Sequence, residues 1–295
     1  MIYHLLRFSL KLISYLPWRV LYLLSDGLFC LLYYVVRYRR RIVRKNLTES
    51  FPDKDRAAIR QIEKDFYRFF ADMFLESCKL ASMSQEEIRR RMKFKQVDAV
   101  NSMLRQGKSV AVYLGHYGNW EWVSSMPLWL EKGVIGAQIY HKLRNGAMER
   151  LMLYIRERMG AVSVDMRKTA RYVTELANNH KVCTIGFIAD QSPRWNESRH
   201  FLPFLHHSVP VLTGTEKIAK HYGFEVFFLE VNRVKRGYYE AEFIRLHENP
   251  RSVPDFELTA LYFQHLERAI QRRPEFYLWT HNRFKHAEKS DAADC

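Results

Sequence analysis

The sequence predicts an α/β fold: a mostly parallel central sheet flanked by helices, behind an N-terminal apolar helical membrane anchor. Three observations predict it. From Ser109 onward, short apolar runs alternate with stretches of helical periodicity, the pattern of successive βα units. The runs SVAVYL and VCTIGFIA are continuously apolar, as strands covered on both faces are. Residues 1–45 differ in composition from all that follows.

The N-terminal segment comes first. It is apolar up to Leu16 apart from His4, Arg7, Ser9, Lys11 and Ser14. Arg7, Lys11 and Ser14 share one helical face, which predicts an amphipathic helix at a membrane interface. Pro17 interrupts it. The run over 20–36 is strongly apolar but falls short of the ~20 residues that cross a hydrocarbon core. It also carries Asp26, which is costly in lipid. Arg37, Arg39, Arg40, Arg41, Arg44 and Lys45 follow, and Trp18 and several tyrosines sit near the segment ends. Aromatic and basic residues of this kind flank membrane anchors. The six cations are expected on anionic headgroups, at about 1 kcal/mol each. By the positive-inside rule the bulk of the chain is expected in the cytoplasm. The competing arrangement is a buried helical hairpin in a soluble protein.

Between Asp53 and Leu80, apolar residues at helical spacing (Ile62, Phe66, Phe69, Phe74) predict a helix. A short charged helix is expected over 86–92. A buried strand over 109–114 follows the Gly107 turn, and a second spans 134–140. Helices are expected over 147–159, closed by Gly160, and over 169–178. A third strand spans 182–189. A helix over 211–222 ends at Gly223, and a fourth strand spans 225–231. The segment 239–246 alternates as an edge strand does. A helix over 255–272 precedes a last short strand, 276–279. The chain thus divides into a membrane-associated 1–45, one α/β domain over 46–285 and a disordered tail, 286–295.

The chain has 295 residues, 47% of them apolar, so a disordered polymer is excluded. Its 47 basic and 32 acidic residues leave a net charge of +15, which points to an anionic partner. Nucleic acid is the weaker choice, because no nucleic-acid module appears and the aromatics lie in apolar runs. Cys30, Cys78, Cys183 and Cys295 form no C-x-x-C pair. Three packed thiols and one exposed tail thiol are expected, in a reducing compartment. The histidines show no metal-ligand spacing on one helix, so no metal is expected.

In open α/β sheets, ligands bind beyond the carboxyl ends of strands. The residues after Leu114 and Ala189 are therefore the first candidates. After Leu114 comes Gly115-His116-Tyr117-Gly118-Asn119-Trp120-Glu121. In a continuous helix, His116 and Glu121 would lie about 140° apart around the axis, so they meet only if the chain turns. Gly115 and Gly118 supply freedom for such a turn. A carboxylate beside an imidazole fixes its tautomer and raises its basicity, which makes a general base for a hydroxyl. Taken alone, Arg156, Arg158 and Asp190 read as a solvated helix face and a turn.

HYGNWE resembles the H-x4-D/E block of glycerolipid-type acyltransferases, and most closely the late (lauroyl and myristoyl) acyltransferases of lipid A biosynthesis. Other matches follow in order over most of the chain. They are the apolar N-terminus with its arginines, R-K-N-L at Arg44 to Leu47, Phe51-Pro52, Tyr140, and YIRERMG at Tyr154 to Gly160. Ala189-Asp190-Gln191-Ser192-Pro193, Thr213-Gly214-Thr215 and the closing PEFYLWTHNRFK from Pro274 to Lys285 complete them.

The resemblance implies the glycerolipid acyltransferase fold and a membrane-bound O-acyltransferase domain over 46–285. It implies that His116 deprotonates the acceptor hydroxyl with support from Glu121. The essential arginine of the family falls at Arg156, or at Arg158, where it would serve the oxyanion or a substrate phosphate. Asp190 would position Arg156 or a loop. Backbone N–H groups near Gly118 and Asn119 would serve the oxyanion. By their alternation, Trp279, His281, Arg283 and Lys285 would share one face of a strand. The expected donor is acyl-acyl carrier protein or acyl-coenzyme A, with no further cofactor. The expected partners are acyl carrier protein, anionic membrane lipid and a phosphorylated glycolipid acceptor, with no nucleic acid. The implied location is the inner membrane of a Gram-negative bacterium. The alternative acceptors are a lysophospholipid, an aminolipid or another glycolipid. A non-catalytic membrane scaffold would have no need of the His116/Glu121 pair.

Overall fold

The structure, a computed structural model, describes residues 2–195 and 200–287. Two helices open the chain, α1 (Ile2–Tyr15) and α2 (Trp18–Cys30), broken at Pro17 as expected, and a π-helical turn (Leu31–Val35) extends the second. Then come α3 (Arg40–Ser50), the long α4 (Arg56–Lys79), α5 (Gln85–Arg91), β1 (Met92–Lys95), α6 (Val97–Arg105) and β2 (Val110–Leu114). A 3₁₀ segment (Trp122–Trp129), β3 (Ile135–Tyr140), α7 (Gly146–Arg156), β4 (Val162–Asp165), α8 (Thr169–Asn178) and β5 (Cys183–Ile188) follow. The remainder is a hairpin of β6 (Phe201–Phe204) and β7 (His207–Pro210), then α9 (Gly214–Tyr222), β8 (Glu225–Lys235), β9 (Tyr238–Arg245) and α10 (Glu257–Arg272).

The seven-stranded sheet has the order β1-β9-β8-β2-β5-β3-β4. β8, β2, β5, β3 and β4 run parallel, and only the β8–β9 pairing is antiparallel. Every residue of β2 is buried, since VAVYL presents apolar side chains to both faces of the sheet. The sheet is therefore the mostly parallel one expected. Two expected elements differ. β9 is not an edge strand, because β1 pairs outside it. Its alternation reflects one wetter face, where Glu242 is exposed. The segment after α10 is not a strand either. Pro274 starts a 3₁₀ turn (Pro274–Phe276), and only an isolated bridge joins Tyr277 to Tyr117. Trp279, His281, Arg283 and Lys285 consequently share no face. Trp279 and Arg283 are buried, His281 is half-buried and Lys285 is exposed.

The polar stripe of the N-terminal helices turns toward the domain. Ser25 donates to Asp72 (2.6 Å), Tyr22 to Glu76 (3.1 Å), and the Trp18 indole to Glu87 (2.5 Å). Asp26 pairs with Arg236 at 2.6 Å, which explains how an apolar run tolerates it. Glu76 is wholly buried in α4 and also accepts from Asn119 Nδ2 (2.9 Å) and Tyr239 Oη (2.7 Å). The basic cluster divides. Arg40 and Arg44 hold the buried Glu63, each with a 2.8 Å bond, and Arg39 donates to the Thr280 carbonyl. Of the cations assigned to headgroups, these three bond within the protein, though Arg39 and Arg44 stay open to solvent; Lys45 lies 3.9 Å from Glu49, and Arg37 and Arg41 are exposed. The thiols differ from expectation in one respect: Cys30 is exposed, whereas Cys183 is buried and Cys78 half-buried. Cys295, and all of the predicted disordered tail beyond Ala287, lie outside the described residues.

Candidate active site

The register of the two central strands builds the site. β2 and β5 are parallel neighbours, with Leu114 opposite Ile188. His116 and Asp190 each lie two residues further on, so the chain delivers them side by side. His116 Nδ1 and Asp190 Oδ1 are 2.7 Å apart. Burial pulls the Asp190 carboxyl upward, but the His116 imidazole, its hydrogen bonds and the Arg283 guanidinium outweigh burial and hold it below the usual carboxylate range. An ionised Asp190 fixes the proton on Nδ1 and leaves Nε2 as the acceptor, with the Gln191 side-chain amide 3.3 Å from it. The Trp120 ring packs edge-on against the imidazole at 5.2 Å.

The carboxylate that meets His116 is thus Asp190, and not Glu121 as the spacing suggested. Glu121 instead takes a two-point grip from Arg156, with Nη2 at 2.6 Å and Nε at 2.8 Å. The cause is local. Glu121 precedes the 3₁₀ segment, whose first turn carries its side chain toward α7 rather than back to the strand end. Burial opposes the Arg156 charge, but Glu121 outweighs it and raises the guanidinium. Arg158 points elsewhere and donates to the Met83 carbonyl. Asp190 holds His116 rather than Arg156, and it also takes a hydrogen bond from Tyr277 of the closing segment.

Gly118 has φ +62°, and a Cβ there would run into the Val231 carbonyl. Its N–H donates to the Phe276 carbonyl at 3.0 Å, so it is not the oxyanion donor expected of it. Asn119 is a buried anchor: its amide donates to Glu76, and its Oδ1 accepts from Trp122 N–H. The closing segment roofs the strand ends, since Leu278 N–H donates to the His116 carbonyl and Ser192 N–H to His281 Nε2.

His116, Glu121 and Arg156 line the polar end of one cavity of about 550 Å³. Its apolar part lies between the sheet (Leu114, Gly186, Ile188) and a cover made by Met126, Pro127 and Met152. Among the described residues, no group of three or more His, Cys, Asp or Glu is arranged to hold a metal ion.

Burial lowers the His281 imidazole from 6.5 to about 4. The unfolded chain therefore takes up this proton first. Stability contributed by the neutral ring is complete above pH 6.5 and is lost as pH falls toward about 4. His281→Gln is expected to flatten this part of the Tm-against-pH profile. Parallel wild-type and variant profiles over that window would refute the assignment.

The His116–Asp190 pairing was hidden in the sequence by a separation of 74 residues. A signal was present nonetheless: both side chains stand equally far past the ends of two buried strands. A family model for bacterial lipid A biosynthesis acyltransferases matches residues 1–286. No curated protein matches the chain. The family match takes in both N-terminal helices, the whole sheet and every residue of the site. The chain therefore belongs to the bacterial lipid A biosynthesis acyltransferase family and is an acyltransferase.

Proposed function

We propose that the protein transfers a fatty acyl chain from acyl carrier protein to a hydroxyl of a lipid A precursor, at the cytoplasmic face of the inner membrane. One observation carries the reading: His116, backed by the buried Asp190, stands at the polar end of an apolar slot, in a chain of this family. His116 Nε2 takes the acceptor's proton while Asp190 holds the ring and stabilises the imidazolium. The hydroxyl oxygen attacks the thioester carbonyl, a C–O bond forms, and the C–S bond breaks as the tetrahedral intermediate collapses. The imidazolium then returns the proton to the leaving thiolate. Arg156, kept in plane by Glu121, supplies positive charge for the oxyanion. No acyl-enzyme and no cofactor are required.

The acyl chain lies in the slot. Gly186 stands four residues before Asp190, about 13 Å along the strand at the usual rise. A Cβ at Gly186 would meet only ordinary contacts, 3.6 Å from Leu114 and 3.8 Å from the Ala137 carbonyl. Gly186→Ala is therefore expected to fold and to favour a shorter donor. One methylene in such a pocket is worth about 1–3 kcal/mol, or roughly 10–200-fold. Competition between donors of different length measures the ratio. An unchanged ratio removes Gly186 from the slot wall.

The reading is tested by incubating the full chain with labelled acyl-acyl carrier protein or acyl-coenzyme A, a lipid A precursor and a lysophospholipid. Transfer to the precursor supports it. Transfer to the lysophospholipid alone would move the reading to that acceptor, and transfer to neither would end it.

A further inference from the structure

We infer that α1 and α2 lie flat on one leaflet, as a two-helix raft, and that no part of the chain before Arg37 crosses the bilayer. This rests on the membrane-bound reading above and narrows it. The apolar stretch Trp18–Val35 is long enough to count as a candidate span, so its attachments decide the matter.

One face of α2 is bonded to the domain over the helix's length. Trp18, Tyr22, Ser25 and Asp26 reach Glu87, Glu76, Asp72 and Arg236, while Leu21 and Phe29 are buried beside them. A span would take one hydrogen bond from each of the buried Asp72 and Glu76, which Ser25 and Tyr22 supply, and carry Asp26 away from Arg236 into hydrocarbon. The bend between the helices is pinned as well. Lys79 Nζ donates to the carbonyls of Ser14 (2.8 Å) and Leu16 (2.7 Å), and Ser82 Oγ donates to Ser14 (2.6 Å). α1 then returns along α7, with Arg7 over the Tyr154 ring and Arg150 over the Tyr3 ring.

The opposite face is apolar and open. Leu5, Phe8 and Leu12 on α1, Leu23 on α2 and Val35 in the π-helical turn are each more than half exposed. Exposed cations accompany them: Lys11, Arg19, Arg37 and Arg41. A lipid surface fits both features, since apolar side chains enter the acyl boundary and cations meet anionic headgroups. A second copy fits less well. A two-fold contact sets the same patch against itself, bringing these like charges together.

The raft keeps the N-terminus and the catalytic domain on the same side. The test uses the full chain with its four cysteines replaced by serine, in vesicles of phosphatidylethanolamine and phosphatidylglycerol. A single cysteine is introduced as His4→Cys or, as a reference on the domain, Lys132→Cys; both positions are exposed. Ser9→Cys, also exposed, replaces His4→Cys if that variant fails to fold. The fraction labelled by a membrane-impermeant maleimide before detergent is compared with the fraction after it. Equal protected fractions at the N-terminal and reference positions are expected. Complementary fractions, with the N-terminal cysteine shielded wherever Lys132→Cys is labelled, overturn the inference. Flotation separates the two readings: protein that does not float with the vesicles defeats the membrane-bound reading itself.

Discussion

Asp190→Asn is expected to cost acyl transfer about as much as His116→Ala, on the order of 10²–10⁴-fold in kcat. The amide has no charge to stabilise the imidazolium. It also no longer obliges His116 Nδ1 to carry the proton, so Nε2 can be protonated and lose its lone pair. The two residues touch at 2.7 Å and act as a unit, so the double variant should be little worse than either single one. Kinetics with saturating acceptor and donor measure this. Unimpaired turnover in Asp190→Asn would mean that the imidazole is oriented by something else.

The second large effect concerns Glu121 and Arg156. Their side chains are 11% and 22% exposed, so each depends on the other for compensation of its charge. Glu121→Ala leaves a guanidinium largely out of water without a carboxylate. A loss of about 3 kcal/mol is expected, the low end for breaking a buried pair, because Arg156 keeps some contact with solvent. Arg156→Ala should cost a similar amount. The pair joins the 3₁₀ segment to α7 over the cavity, so transfer should fall together with stability. In a double-mutant cycle the second substitution should cost much less than the first. Additive losses in denaturant unfolding would show that the two charges do not depend on each other.

Much of the fold was legible in the sequence, for a physical reason. β2 and β5 are covered on both faces, and such strands are written as unbroken apolar runs. The break at Pro17 was legible because proline cannot continue a helix. β1 and β4 are four residues each with mixed burial, too short for periodicity to register. The closing WTHNRFK misleads because its alternation imitates a strand. There, Pro274 and the bond from Leu278 N–H to the His116 carbonyl bend the chain across the strand ends. His116 and Asp190 were each legible as residues at strand ends, but their contact was not, since no local pattern states which strands are neighbours. Glu121 shows the converse: closeness in sequence suggested a partner that backbone direction denies it.

Glu76 has a practical meaning for anyone who wishes to shorten this enzyme at its N-terminus. The same carboxylate holds Tyr22 of α2 and Asn119 of the loop between His116 and Glu121. The Asn119 Oδ1 in turn receives Trp122 N–H, and the Trp122 indole donates to the Glu76 carbonyl. The first helices are therefore no removable handle. Trimming them would take the Tyr22 hydroxyl from Glu76 and loosen the buried anchor of the loop that carries the catalytic histidine.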